Sequence, residues 1–449
     1  MAGSLFARKT LTAFETDLAR EGRSLRRALG ALDLVLLGIG CIIGTGIFVL
    51  TGVAAVHHAG PAVIASYAIA GIVCALAALC YSEFATMLPI SGSAYSYAYA
   101  TMGELVAWII GWDLILEYAL AASAVAVGWS GYVRDILLGF GIEIPTAIAG
   151  SPGTLPGAVF NLPAFLILLL MTALLVVGIR ESARANAVIV AIKLFVVLFV
   201  IGVGGFYVAP ENWTPFAPFG FDGIVSGAAT VFFAYIGFDA VSTAAQESRN
   251  PERDMTIGIV GSLAACTVLY LAVAAVVTGM VPLGEIDTSA PVAQAFRRQG
   301  LDWAGGLISA GAIAGLSSVL LVLLLGQSRI FFSMSRDGLL PGLFSAVHPR
   351  FGTPHVATIG VGLIVAVIAG FVPLKELAEL ANIGTLFAFV VVSLGILILR
   401  RSEPDRRRPF RTPWVPLVPL LAAAGSFWLM RALPVETWIR FVVWLALGL

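Results

Sequence analysis

Apolar stretches of about twenty residues recur along almost the whole chain, and that is the length a helix needs to cross the hydrocarbon core of a bilayer. Twelve can be counted, near 32–56, 61–81, 105–128, 163–181, 185–208, 224–245, 257–281, 304–328, 356–372, 377–399, 415–431 and 434–448. Nothing else limits the fold so severely, because lipid offers the backbone no hydrogen bonds and a chain that meets it must be helical or a closed barrel. With 59% hydrophobic and only 12% charged residues, the chain reads as an all-α integral membrane protein of twelve transmembrane helices.

An even number of crossings returns both ends to one side. If that side is the cytoplasm, nineteen of the twenty-six Lys and Arg residues fall on inner segments, among them Arg8, Lys9, Arg20, Arg23, Arg26, Arg27 and the cluster from Arg400 to Arg411. Five fall outside (Arg134, Arg297, Arg298, Lys375 and Arg431), and Lys193 and Arg440 lie within spans. Such a bias orients membrane proteins, so the reading is a multi-pass protein of the cell membrane with both termini cytoplasmic. The N-terminus lacks the apolar core and cleavage site of a signal peptide, which leaves the first span as its own insertion signal.

Other classes find little support. Net charge is zero, with no basic surface to suggest nucleic acid as a partner. Cys41, Cys74, Cys80 and Cys266 all sit in apolar spans without metal-ligand spacing, and His57, His58, His348 and His355 fall at span ends or in loops. No metal, cofactor or catalytic dyad emerges, and the chain is not expected to be an enzyme. Between spans, the outer segment PLGEIDTSAPVAQAFRRQG is expected to hold one short helix starting at Pro291.

Two spans are punctured. GIGCIIGTGIF at 38–48 crowds Gly38, Gly40, Gly44 and Gly46 around Thr45, and FFAYIGFDAVSTAA at 232–245 carries Gly237 closely followed by Asp239, Ser242 and Thr243. Gly40 and Gly44 also form a GxxxG pair, a common packing device, but packing alone leaves the density of glycines and the placing of Thr45 unexplained. Unwinding accounts for both, and an unwound segment at membrane depth survives only inside protein or along a polar cavity. The N–H groups of Gly44 to Ile47 would then start a second half-helix able to hold a carboxylate. The carbonyls near Ile42 and Ile43 would end the first half-helix with a negative dipole end facing an ammonium group. Phe233 lies just before the second break, as an aromatic lid or as plain packing.

Laid over each other with the broken spans in register, spans 1–5 (residues 32–208) and 6–10 (224–400) form two halves. An odd number of crossings inverts the second half relative to the first, which brings the two breaks together at mid-depth. Residues 1–31 are then a cytoplasmic N-terminal segment, and spans 11 and 12 (415–449) an appendage.

Three further ionisable groups lie at depth. Lys193 falls about 12 Å into span 5 at the rise of a helix; it either snorkels toward the cytoplasm or changes charge in a cavity, because burial disfavours the ammonium form. Asp113 and Glu117 are four apart on one face of span 3, where buried carboxyls either bridge helices or handle substrate and protons. Asp239 carries the same two readings.

The segments YSEFATMLPISGSAYSYAYATMGE at 81–104, ESRNPERDMTIGI at 247–259 and SMSRDGLLPGLFSAVHPRFGTP at 333–354 resemble signature loops of the amino acid–polyamine–organocation superfamily. GIGCIIGTGIFVLTG and RRPFRTPWVPLVP at 407–419 are most similar to its cationic amino acid transporter branch, bacterial members included. The resemblance covers residues 25–449. It implies the leucine-transporter type of five-plus-five inverted repeat, with the amino and carboxyl groups of a substrate held by the unwound spans. Ile42, Ile43, Thr45, Gly46 and Ile47 would line the first break, and Phe233, Ala234, Tyr235, Ile236 and Asp239 the second. Lys193 matches the lysine that stands in for sodium in proton-coupled relatives. Gln246 and Thr256 depart from the family pattern, and a chain that stops after twelve spans points away from the longer cationic members, toward small neutral or broad specificity.

The expected function is therefore proton-coupled symport of amino acids into the cell by alternating access, with Lys193 as coupling group. Amino acid exchange, cationic substrates included, and non-transporting sensing are the alternatives. Substrate, proton and membrane lipid are the expected partners; a small single-span protein or a sterol-like lipid could also be accommodated, though no residue points to either.

Overall fold

Backbone surrounded by lipid or by other helices closes its hydrogen bonds on itself, and the computed structural model, which describes residues 29–88, 93–178 and 183–449, is helical accordingly. Among the described residues no β-strand occurs, only the isolated bridges Leu29 with Ser248 and Ala149 with Asn161. The basic residues Arg8, Lys9, Arg20, Arg23, Arg26 and Arg27, and with them most of the N-terminal segment, lie outside the described residues.

The α-helices are α1 (Ala31–Ile42), α2 (Thr51–Ala54), α3 (Val63–Met87), α4 (Ser93–Thr101), α5 (Glu104–Gly139), α6 (Leu162–Val177), α7 (Ala183–Gly204) and α8 (Gly220–Val231). They continue with α9 (Ala240–Thr243), α10 (Pro251–Met280), α11 (Pro291–Arg298), α12 (Asp302–Arg336), α13 (His355–Phe371), α14 (Leu374–Ser402), α15 (Leu417–Arg431) and α16 (Val435–Gly448). All twelve apolar stretches carry helix. Seven helical stretches among the described residues are long and apolar enough to cross a membrane, or eight if α15 and α16, bent by 114° at their junction, make one span. The difference from twelve has a physical origin: the first stretch is split by its break, and α6, α13, α15 and α16 run only 16, 17, 15 and 14 residues. The short helix expected at Pro291 is α11.

Periodicity decides which helix faces turn inward. On α7, Val190, Lys193, Val196, Val197 and Val200 are buried, while Val188, Ile192, Phe195 and Leu198 are exposed. The spacing of three and four gives an apolar outer stripe suited to lipid and an inner stripe that includes one lysine. Small residues let the inner faces approach closely: a Cβ on Gly311 of α12 would fall 2.4 Å from Val196. At the periphery α16 docks on α5 through indoles. Trp112 and Trp444 stack at 4.5 Å, each N–H bonds the other's carbonyl oxygen at 2.8 and 3.1 Å, and Trp108 donates to Gly448 O.

Candidate functional site

The first break follows Ile42. Ile43 takes an extended ψ of 98°, and the chain resumes as a run of π-helix (Gly46–Leu50), α2 and π-helix again (Ala55–Ala59). The first N–H groups of a helix have no partner within it, so the resumed run starts inside the apolar stretch with donors at the break. Thr45 stands at this start, almost fully buried. Its hydroxyl has no hydrogen-bond partner, and its side chain abuts Gly128 of α5, where a Cβ would lie 2.8 Å away. A buried hydroxyl left unpaired is costly, which marks this corner as built for something polar.

The second break follows α8. A 3-10 turn, Phe232–Tyr235, tightens the helix before Ile236 becomes extended at ψ 131°. Gly237 then takes φ +117°, a conformation strained for any residue with a side chain, and α9 follows. Asp239 is buried and accepts from Gly237 N at 3.3 Å. Tightening frees carbonyls at the end of α8, and Asn382 of α14 satisfies two of them, donating to Ala229 O at 2.7 Å and Thr230 O at 3.2 Å.

The two breaks touch. A Cβ on Gly46 would lie 2.2 Å from Ala234 Cα, and one on Gly237 would lie 3.2 Å from the backbone of Cys41. Tyr270 of α10 joins them with one hydroxyl, 2.7 Å from Ile42 O and 2.8 Å from Ala234 O. Tyr67 of α3 donates to Gly46 O at 2.9 Å and lies 2.7 Å from Thr51 Oγ1, and Tyr235 donates to Tyr67 O at 2.8 Å. The three rings pack at 5.4 to 6.4 Å between centroids. Of the three, only Tyr235 is among the residues expected at the breaks: a tyrosine within an apolar stretch signals a buried hydroxyl in need of a partner, but not which carbonyl it meets. Asn382 gives the same kind of signal.

Lys193 is fully buried, and its Nζ donates to Gly40 O at 2.6 Å. The amino group thus sits at the C-terminal end of α1, where the helix dipole favours positive charge, and does not snorkel out. Its aliphatic stem lies against Gly315 of α12, where a Cβ would come within 3.1 Å of both Cγ and Cε. One side chain therefore meets α1 and α12 from α7.

Asp113 and Glu117 of α5 are both buried. Asp113 packs against Gly384 of α14, and neither carboxyl oxygen has a hydrogen-bond partner. Ile42, Ile43, Ile47, Phe233 and Ile236 are buried at the breaks, and a Cβ on Gly44 would lie 3.5 Å from Val319 of α12. The region thus offers helix-start N–H groups and a hydroxyl at one pole, a carbonyl helix end at the other, and aliphatic and aromatic surface beside them. That combination suits a small zwitterion.

The sequence pattern of a family described as amino acid permease matches residues 29–447. The methylthioribose transporter of Bacillus subtilis (strain 168) is 53% identical over 99% of this chain and 96% of its own length. The branched-chain amino acid permease BcaP of the same organism is 50% identical over 100% and 97%. The vacuolar cationic amino acid transporter 4 of Arabidopsis thaliana is 38% identical over 90% and 68%.

Proposed function

Because the chain belongs to the amino acid permease family, a family of transporters and not of enzymes, we propose that it is a proton-coupled symporter carrying small neutral amino acids, or a broad range of them, into the cell by alternating access. The observation that carries this reading is the contact between the two breaks, with Gly46 against Ala234 and the Tyr270 hydroxyl shared by Ile42 O and Ala234 O. In this reading the N–H groups from Gly44 to Ile47 and the Thr45 hydroxyl take the substrate carboxylate. The carbonyl end of α1 at Ile42 and Ile43 takes the ammonium, a carbonyl oxygen having a second lone pair beside the one Tyr270 uses. Phe233, Ala234, Tyr235, Ile236 and Asp239 form the opposite wall. The apolar neighbours favour an aliphatic side chain, in keeping with a relative named for branched-chain amino acids.

Lys193 supplies the coupling. Protonated, it bonds Gly40 O with charge assistance and holds α1 beside α12; deprotonated, it weakens that grip, so loading and loss of one proton bias the two states of the site. Asp113 and Glu117 give polar support on α5. Residues 32–208 and 224–400 act as inverted halves of twelve crossings, with 415–449 outside them and both termini in the cytoplasm, consistent with the distribution of Lys and Arg.

A second reading follows from the 53% identical relative named as a methylthioribose transporter, since a sugar ring lacks both zwitterion poles. Uptake of labelled alanine and leucine into sodium-free proteoliposomes, with and without an inward proton gradient, tests the proposal, with unlabelled arginine and methylthioribose as competitors. Gradient-driven accumulation is expected; uptake that requires preloaded amino acid establishes exchange, competition by methylthioribose alone establishes the sugar, and binding without uptake indicates a sensor. Lys193→Ala is expected to lose gradient-driven accumulation and the dependence of uptake on external pH, and retention of both would refute its coupling role.

A further inference from the structure

Away from the breaks, at the end of the molecule where α3 and α14 finish, three chain segments meet around one buried carboxylate. Glu83 is fully buried near the end of α3. Arg400 of α14 grips it with two hydrogen bonds, Nε to Oε1 at 2.9 Å and Nη2 to Oε2 at 2.8 Å. The Thr412 backbone N–H adds a third at 2.7 Å, and Arg408 Nε lies 3.2 Å from Oε1 as an ionic contact without hydrogen-bond alignment. Arg408 is itself buried and held by carbonyl oxygens on every side: Glu403 O, Arg406 O at 2.8 Å, Pro404 O at 3.1 Å and Leu399 O at 3.3 Å. Thr412 Oγ1 also donates to Leu79 O of α3 at 3.2 Å. Two sequence segments far apart, YSEF at 81–84 and RRPFRTP at 407–413, thus meet in a single network.

Neighbouring contacts at this end are of another kind. Leu29 N bonds Glu247 O at 2.9 Å and Arg249 N bonds Leu29 O at 2.8 Å, neutral bonds that water can replace as they part. The ion pair of Arg407 with Glu252 at 2.9 Å is exposed on both sides and is worth little in water. Opening the Glu83 network would instead strand a buried carboxylate and two guanidinium groups.

We infer that Glu83, Arg400, Arg408 and the Thr412 amide form a permanent clamp that keeps the ends of α3 and α14 and the 403–412 loop together as one body throughout the transport cycle. Opening on this side then falls to α1 and the segment around 245–249. The inference rests on the transporter reading for its functional meaning, but not for its geometry.

Two measurements test it. In a cysteine-free background, Glu83→Cys with Arg400→Cys is expected to lose uptake about tenfold or more and to regain most of it when a short thiol-to-thiol reagent bridges the pair. Parent activity with a bridged variant that stays inactive at unchanged thermal stability would make the network a latch that must open. Hydrogen exchange needs no transport: the Thr412 amide is expected to stay equally protected with and without substrate in the native protein, and to exchange about tenfold faster or more in Glu83→Gln. Loss of protection on adding substrate would overturn the clamp even if the substrate proves not to be an amino acid. A parent protein that fails to take up any amino acid while Thr412 stays protected would sink the transport reading alone.

Discussion

One hydroxyl at the centre of the molecule has two carbonyls to serve. Tyr270 lies within hydrogen-bond reach of Ile42 O and Ala234 O, and these belong to the two chain breaks. Replacing it by Phe keeps the ring packing against Tyr67 and Tyr235 but withdraws the donor from both carbonyls. A lost buried hydrogen bond of this type costs about 1–3 kcal/mol, and the Tyr270→Phe variant is expected to show about tenfold lower transport efficiency with unaltered membrane insertion; uptake kinetics at matched expression decide it. How much of the site was readable divides along the same line. Glycine density gave away the first break, and Gly237 beside Asp239 the second, because a glycine cluster in an apolar run costs helix stability and implies a local reason. Lys193 was readable because a lysine at depth is so rarely tolerated. Tyr270, Tyr67 and Asn382 were not, since their roles depend on which carbonyls the folded helices bring opposite them.

Helices here are stabilised at their interruptions by partners from elsewhere. Asn382 of α14 is the partner for α8, answering Ala229 O and Thr230 O where the 3-10 turn begins. Asn382→Leu preserves bulk and removes both donors, leaving buried carbonyls unpaired, and is expected to lower stability by about 1–3 kcal/mol. A depressed unfolding temperature in detergent would show this; an unchanged one would mean that water enters and takes over the bonds. At this scale the sequence was legible as helix and silent about extent. Each apolar stretch carries helix, yet α6 and α13 stop at 16 and 17 residues, and an apolar run does not say where its helix ends when the flanking loop also packs. The 114° bend between α15 and α16 falls at ALP in 432–434, where a proline stops the preceding helix.

For the whole molecule, the charge distribution proposes an orientation that labelling can read. All four native cysteines are buried and unbridged, so an introduced exposed cysteine reports with little background. Glu143 and Leu343 are both exposed and sit on connections assigned to opposite sides. With a membrane-impermeant thiol reagent on intact cells, Glu143→Cys is expected to react and Leu343→Cys to react only after permeabilisation; the reverse pattern would invert the topology. The docking of the last helix lends the protein a further property. Indoles 4.5 Å apart and within 12° of parallel, as Trp112 and Trp444 are, couple through their strongest electronic transition, so α16 lying on α5 should write an exciton couplet into the far-ultraviolet circular dichroism, an optical gauge of the docking of α16 that needs no added dye.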